Sequence, residues 1–191
     1  NKLWNISRFI LNNLDDEILS TPIDVLPEAK SLSDNWILGE LLSTRKTLAT
    51  SLSDFNFSFA AETLYDFTWN KLADWYLETT KIEKGKETIL VFILKNLLIM
   101  WHPFIPYVTE AIWQSFNNTL LMVEPWPKLA NKLDYWINNP GKEADFSFVQ
   151  EAIIAIRNAR SENKVEPARK LQALVTGPKS ELLLSQAPLI K

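Results

Sequence analysis

Residues 89–113 read ILVFILKNLLIMWHPFIPYVTEAIW, and their reading decides the fold. The first thirteen positions, Ile89 to Trp101, are broken only by Lys95 and Asn96. A helix that is apolar almost all the way round must be buried on most sides, so other helices have to pack around it. Thirteen residues fall short of the about 20 that cross a bilayer as a helix. Pro103 and Pro106 stop further extension. The stretch predicts the central rod of a soluble helical bundle over 89–101, with HPFIP as the corner where the chain turns.

The segments on either side supply the partners. Leu3, Ile6, Ile10 and Leu14 mark the inward face of a first helix, while Asn5, Arg8 and Asn12 share another face. Residues 15–30, with Pro22 and Pro27, predict a loop. Ser33 and Asp34 offer cap chemistry for a second helix, with Ile37, Leu41, Thr44, Leu48 and Leu52 inward. Asp54 or Asn56 opens a long third helix, expected to run to about Lys84 and to end at Gly85. Its face is Ala61, Leu64, Thr68, Leu72 and Trp75, widened by Phe67, Trp69 and Tyr76. After the corner, a fifth helix reaches about Phe116, and LLMVEPWPKL reads as extended. Asn138-Asn139-Pro140-Gly141 is a turn signal.

Beyond it, Phe148–Arg160 predicts a helix with Val149, Ala152, Ile153 and Ile156 inward. Leu171–Thr176 is β-prone, and Ser180–Ala187 is helical again. The expected fold is mainly α: a helical bundle over 1–128, followed by a helix–strand–helix part of a small α/β subdomain over 129–191.

Composition narrows the function classes. The 191 residues, 47% hydrophobic and 23% charged, exclude disorder. Without cysteine there are no disulfides, thiolate metal ligands or cysteine nucleophiles, which fits a cytoplasmic protein. No secretory signal opens the chain. A net charge of −3 exerts no global pull on nucleic acid, so any RNA-binding reading rests on local clusters. The termini read as those of a piece of a longer polypeptide, because Asn1-Lys2-Leu3-Trp4 is already helical in pattern.

No catalytic centre can be assembled. His102, the single histidine, precedes Pro103 at a helix end, where packing or a local hydrogen bond accounts for it. There is no glycine-rich phosphate loop. Asp74 and Glu78 lie at i, i+4 on an exposed helix face and read as solvated charges. No metal ligand set is expected. The densest positive run is Arg157, Arg160, Lys164, Arg169 and Lys170, set against Glu162 and Glu166. It suits a solvated surface or sequence-blind contact with a phosphate backbone. Lys81 and Lys84 complement the dipole at the end of the third helix.

The strings NKLWNISRF, DNWIL, LYDFTWNKLADWYLE, WHPFIPYVTEAIWQ, EPWP and IRNARSENKVEPARKLQALV occur in this order. Together they resemble the anticodon-binding region of bacterial valyl-tRNA synthetases over nearly the whole chain. Isoleucyl-, leucyl- and methionyl-tRNA synthetases share this type of domain, but NKLWN and HPFIPYVTEAIWQ are most like the valyl branch. The resemblance implies a monomeric parent enzyme that attaches valine to tRNA-Val using ATP and Mg and edits misacylated threonine. The catalytic and editing residues would lie upstream, in a domain against which this one packs. This part would carry no cofactor and only grip tRNA.

The resemblance further implies anticodon recognition at the C-terminal ends of the first and third helices. Arg8, Asn5 and Asn12 fall on the first of these positions, and Glu78, Lys81 and Lys84 on the second. Arg157, Arg160 and Lys164 would make weaker backbone contacts. Trp4 matches a reading position by register, although its bulk favours core packing. Asn35 and Gly39-Glu40 depart from the arginine and Ser-Arg of many relatives, which weakens the expectation of second-helix phosphate contacts. Two other readings remain: the same domain of isoleucyl-tRNA synthetase, and a helical protein-interaction module without an RNA role.

Overall fold

Every side chain from Ile89 to Trp101 is buried, so the predicted rod is the centre of the molecule. The computed structural model describes residues 1–12, 14–127, 141–166 and 169–190. The rod belongs to helix α6, Glu87–Trp101. Around it lie α1 (Lys2–Leu11), the single turn α2 (Asp16–Leu19), α3 (Leu32–Ser53) and α7 (Pro106–Trp113). Each fully buried Leu, Ile or Phe contributes about 1.5–3 kcal/mol relative to exposure, so this apolar run dominates the stability of the bundle.

Lys95 and Asn96, the two interruptions, are buried as well. Lys95 Nζ donates to the carbonyls of Leu19 and Thr21 at 2.6 and 2.9 Å. Asn96 Nδ2 donates to the carbonyls of Ile23, at 3.2 Å, and Phe92, at 2.9 Å. The rod thus clamps the α1–α3 connection, whose backbone would otherwise lose hydrogen-bond partners on burial.

The start of α3 differs in detail from expectation. Ser31 is the cap: its Oγ accepts from Asp34 N at 3.2 Å, and Asp34 Oδ2 accepts from Ser31 N at 3.1 Å. This is a capping box with Asp in place of the usual Glu or Gln.

The third bundle helix is composite. It runs as α4 (Phe57–Tyr65), a π-helical segment over Asp66–Tyr76, and α5 (Leu77–Thr80). Leu64, Thr68, Leu72 and Tyr76 are all buried at steps of four. The π-helical segment replaces the usual i→i+4 backbone pairing with the wider i→i+5 turn. Thr68 accepts from Trp101 Nε1 at 2.9 Å, fastening this helix to the end of the rod. The helix ends at Thr80 rather than Lys84, and Gly85 is left-handed at φ 75°.

At the HPFIP corner Pro106 takes the first turn of α7, and His102 Nδ1 lies 2.9 Å from Thr109 Oγ1. The single histidine therefore braces a corner. Beyond α7, residues 121–123 form a 3-10 turn rather than extended chain. Arg45 Nη1 holds the carbonyl of Pro127 at 2.7 Å.

The turn signal at 138–140 lies outside the described residues. Gly141, at φ 76°, opens α8 (Lys142–Glu162), which starts earlier than Phe148. Helix α8 packs on α3, and Phe146 lies 5.1 Å from the Trp36 ring. Ile156, expected inward, is 37% exposed, whereas Phe146, Val149 and Ile153 on the same helix are buried. The β-prone run 171–176 is irregular and forms no strand among the described residues. Among the described residues, α8 is followed by irregular chain, then α9 (Ser180–Ser185) and α10 (Ala187–Ile190). No helix among the described residues is long and apolar enough to cross a membrane.

Candidate nucleic-acid interface

Helix α1 is sided as its sequence dictates. Leu3, Ile6 and Ile10 are buried, which turns the opposite flank outward. Trp4, Arg8 and Asn12 follow one another at i, i+4 and i+8 on that flank and lie one above the next. With Ser7, Leu11, and Ile112 and Ser115 from the end of α7, they line an open cleft of about 420 Å³.

The polar groups of this cleft divide into two kinds. The Ser7 hydroxyl donates to Leu3 O at 2.8 Å and that of Ser115 to Ile112 O at 2.6 Å, so both are satisfied by their own backbone. The side chains of Arg8 and Asn12 are exposed and have no hydrogen-bond or ion-pair partner among the described residues. Helix α1 contains no acidic residue. A free guanidinium and a free amide beside an apolar wall can pair with exposed base edges and phosphate. Asn5 is exposed but does not line the cleft.

Trp4 is the residue that sequence reasoning undervalued. It is 44% exposed and faces the cleft rather than the core. The signal was present in the sequence: Trp4 adjoins Leu3 but shares the Arg8–Asn12 spacing, not that of Leu3, Ile6 and Ile10.

The second group of candidates sits elsewhere. Glu78 and Lys81 pair with each other at 2.6 Å on the exposed end of α5, and Lys84 Nζ donates to Lys81 O at 3.2 Å in the following turn. No hydrogen bond or ion pair joins this group to Arg8, Asn5 or Asn12 among the described residues. Asp74 pairs with Lys2 at 3.1 Å, so it and Glu78 are lysine-paired surface charges.

One residue of the C-terminal basic run, Arg157, is brought beside the third bundle helix. The Arg157 guanidinium lies 5.6 Å from the centroid of the Trp75 ring, one turn before Glu78. Arg160 is committed to structure: its Nη2 donates to the carbonyls of Glu166 and Arg169 at 2.9 and 3.0 Å. Lys164 is exposed at the end of α8, with φ 50°.

The described residues hold no group of three His, Asp or Glu suited to a metal ion.

Among solved structures, the chain is similar to the agnB2 leucyl-tRNA synthetase of Agrobacterium radiobacter K84, determined as a ternary complex with tRNA and LeuAMS. Identity is 28% and the TM-score 0.53, over 65% of this chain and 15% of that one. The chain thus spans a small part of the length of that protein. A family model described as the anticodon-binding domain of tRNA ligase matches residues 34–175. That match covers well over half of the chain, which therefore belongs to the family of anticodon-binding domains of tRNA ligases.

Proposed function

We propose that this chain is the anticodon-binding domain of a valyl-tRNA synthetase, and that it grips the anticodon arm of tRNA-Val through the α1 cleft. The observation that carries the reading is the pair of unengaged polar side chains, Arg8 and Asn12, in an open cleft of a domain of this family. The valine assignment rests on NKLWNISRF and HPFIPYVTEAIWQ. Asn5, Glu78, Lys81 and Lys84 complete the proposed base-reading set, while Arg157, Arg160 and Lys164 serve the backbone. Of these three, Arg157 and Lys164 have the more accessible charge. The parent enzyme, with ATP and Mg bound by its catalytic domain, would carry out valine transfer as a cytoplasmic monomer. The division of the chain near residue 128 belongs to the same reading.

The test is binding of tRNA-Val transcript at low salt, with an anticodon-swapped transcript as control. Preference for the native anticodon is expected, and Arg8→Ala should remove most of it. Equal binding of both transcripts would sink base readout by this domain. A leucyl assignment is the second reading, favoured by the solved-structure similarity. Charging assays of the parent protein with valine, isoleucine and leucine separate the three.

A further inference from the structure

We infer that Glu83 is a positioning residue of the proposed tRNA interface: its carboxylate pins the loop over 81–86 to the start of α3 and so fixes where Lys81 and Lys84 meet RNA. The inference rests on the tRNA-binding reading above, which names the two lysines, and adds the device that holds them. The loop reads KIEKGK and carries the chain from α5 into the rod. Lys81 and Lys84 are exposed, whereas Glu83 between them turns inward, its side chain only 20% exposed. There its Oε2 accepts from Ser33 Oγ at 2.6 Å and Ser31 Oγ at 3.0 Å, and lies 2.8 Å from Lys86 Nζ. Ser31 caps α3, and Ser33 is wholly buried in its first turn.

The arrangement resolves a conflict of charge. An acid between two lysines would repel the phosphate that those lysines attract. Here its charge is taken up by Lys86 and two hydroxyls, at the positive end of the α3 dipole. Lys86 is itself buried and shared with Asp34 at 2.8 Å, so the anchor is fixed from behind. Gly85, at φ 75°, lets the chain reverse directly after Lys84. The surface is left with Lys84, whose Nζ reaches Lys81 O at 3.2 Å, and with Lys81 beside Glu78. A loop fixed in advance loses less freedom when RNA arrives, so the anchor raises affinity without making a contact of its own. A glutamate that merely solvated the loop would not sit on the hydroxyl of a wholly buried serine.

The experiment measures binding of an anticodon stem-loop RNA of tRNA-Val to the 191-residue chain at low salt. Glu83→Ala should weaken binding roughly fivefold, the cost of ordering a freed loop, although it removes a negative charge beside the RNA. Tighter or unchanged binding would make Glu83 an ordinary surface acid and overturn the inference. Ser33→Ala, at a buried position that cannot touch RNA, should weaken binding in the same direction to a smaller extent. Should Glu83→Ala fail to fold, Ser33→Ala carries the test, and wild-type affinity there overturns the inference. The variant Lys81→Ala, Lys84→Ala should bind more weakly than wild type, and adding Glu83→Ala to it should change nothing further, because positioning acts only through the two lysines. A further loss in that background would mean a general loosening of the fold, and the inference falls. If the lysine variant is weakened while Glu83→Ala is not, positioning falls and the tRNA-binding reading stands. If the lysine variant binds as wild type does, the lysines leave the proposed set and the inference goes with them. A wild-type chain that does not bind the hairpin removes both.

Discussion

Asp34 and Lys86 meet as a buried ion pair, Oδ1 to Nζ at 2.8 Å, with both side chains almost wholly removed from solvent. The pair is fully furnished with hydrogen bonds. Tyr76 OH donates to the same Asp34 oxygen at 2.7 Å, and Lys86 also reaches Ser31 Oγ at 2.7 Å and Glu83 at 2.8 Å. One carboxylate thus caps α3 and ties it to the third and fourth bundle helices. Removing one member of such a pair leaves an uncompensated buried charge. Lys86→Met should cost about 3–5 kcal/mol, measured by urea unfolding. The double variant Asp34→Asn, Lys86→Met should cost less than the sum of the single changes, because the orphaned charge is gone.

The same network sets an alkaline limit. Burial, and then the charge of Asp34, push the Tyr76 phenol well above its ordinary value. A group whose folded pKa is raised keeps its proton while the unfolded chain loses it. Stability is therefore intact below the unfolded tyrosine value of about 10 and falls as pH rises above it. Tyr76→Phe should be less stable at neutral pH, yet show a shallower decline above about pH 10. A decline as steep as wild type would mean that Tyr76 is not its source.

Lys95 behaves oppositely. Burial pushes its ammonium below the usual lysine value, an effect the charge of Glu124 only partly opposes. Lys95→Met keeps the length of the side chain but leaves the Leu19 and Thr21 carbonyls without their donor. A loss of about 1–3 kcal/mol is expected. Hydrogen exchange should accelerate first in the backbone of residues 19–23, which the lysine clamps.

Two helix ends carry side chains where glycine is the natural occupant. Lys164 at φ 50° follows α8, and Phe55 at φ 57° follows α3. Both ends show the Schellman pairing, Val165 N to Arg160 O at 2.9 Å and Asn56 N to Ser51 O at 2.8 Å. The left-handed conformation costs a non-glycine residue about 1–2 kcal/mol. Lys164→Gly and Phe55→Gly should each raise stability, by up to about 1 kcal/mol after the added freedom of the unfolded chain. Lys164→Ala, which keeps the strain, should show no gain in thermal midpoint.

Much of this protein was legible in its residues. The all-round apolar run 89–101, the proline corner and the sidedness of α1 follow from local pattern, because burial is demanded wherever apolar residues dominate a helix surface. The strings that carry the family resemblance are equally a property of the chain alone. The wide turn over Asp66–Tyr76, the conversion of Lys95 and Asn96 into a loop clamp, and the Asp34–Lys86 pair were not legible. Each depends on which atoms arrive from segments distant in sequence, and periodicity carries no information about those partners.

The site shows the same division. Sequence by itself determined that Arg8 and Asn12 stand on the free flank of α1, since Leu3, Ile6 and Ile10 must face inward. Tertiary structure alone decided that α7 brings Ile112 and Ser115 against that flank to make a cleft, and that Trp4 opens into it. It alone turned Arg160 onto loop carbonyls and laid Arg157 on Trp75. A helix pattern specifies which side chains leave the core, whereas the packing of neighbouring helices specifies what they meet there.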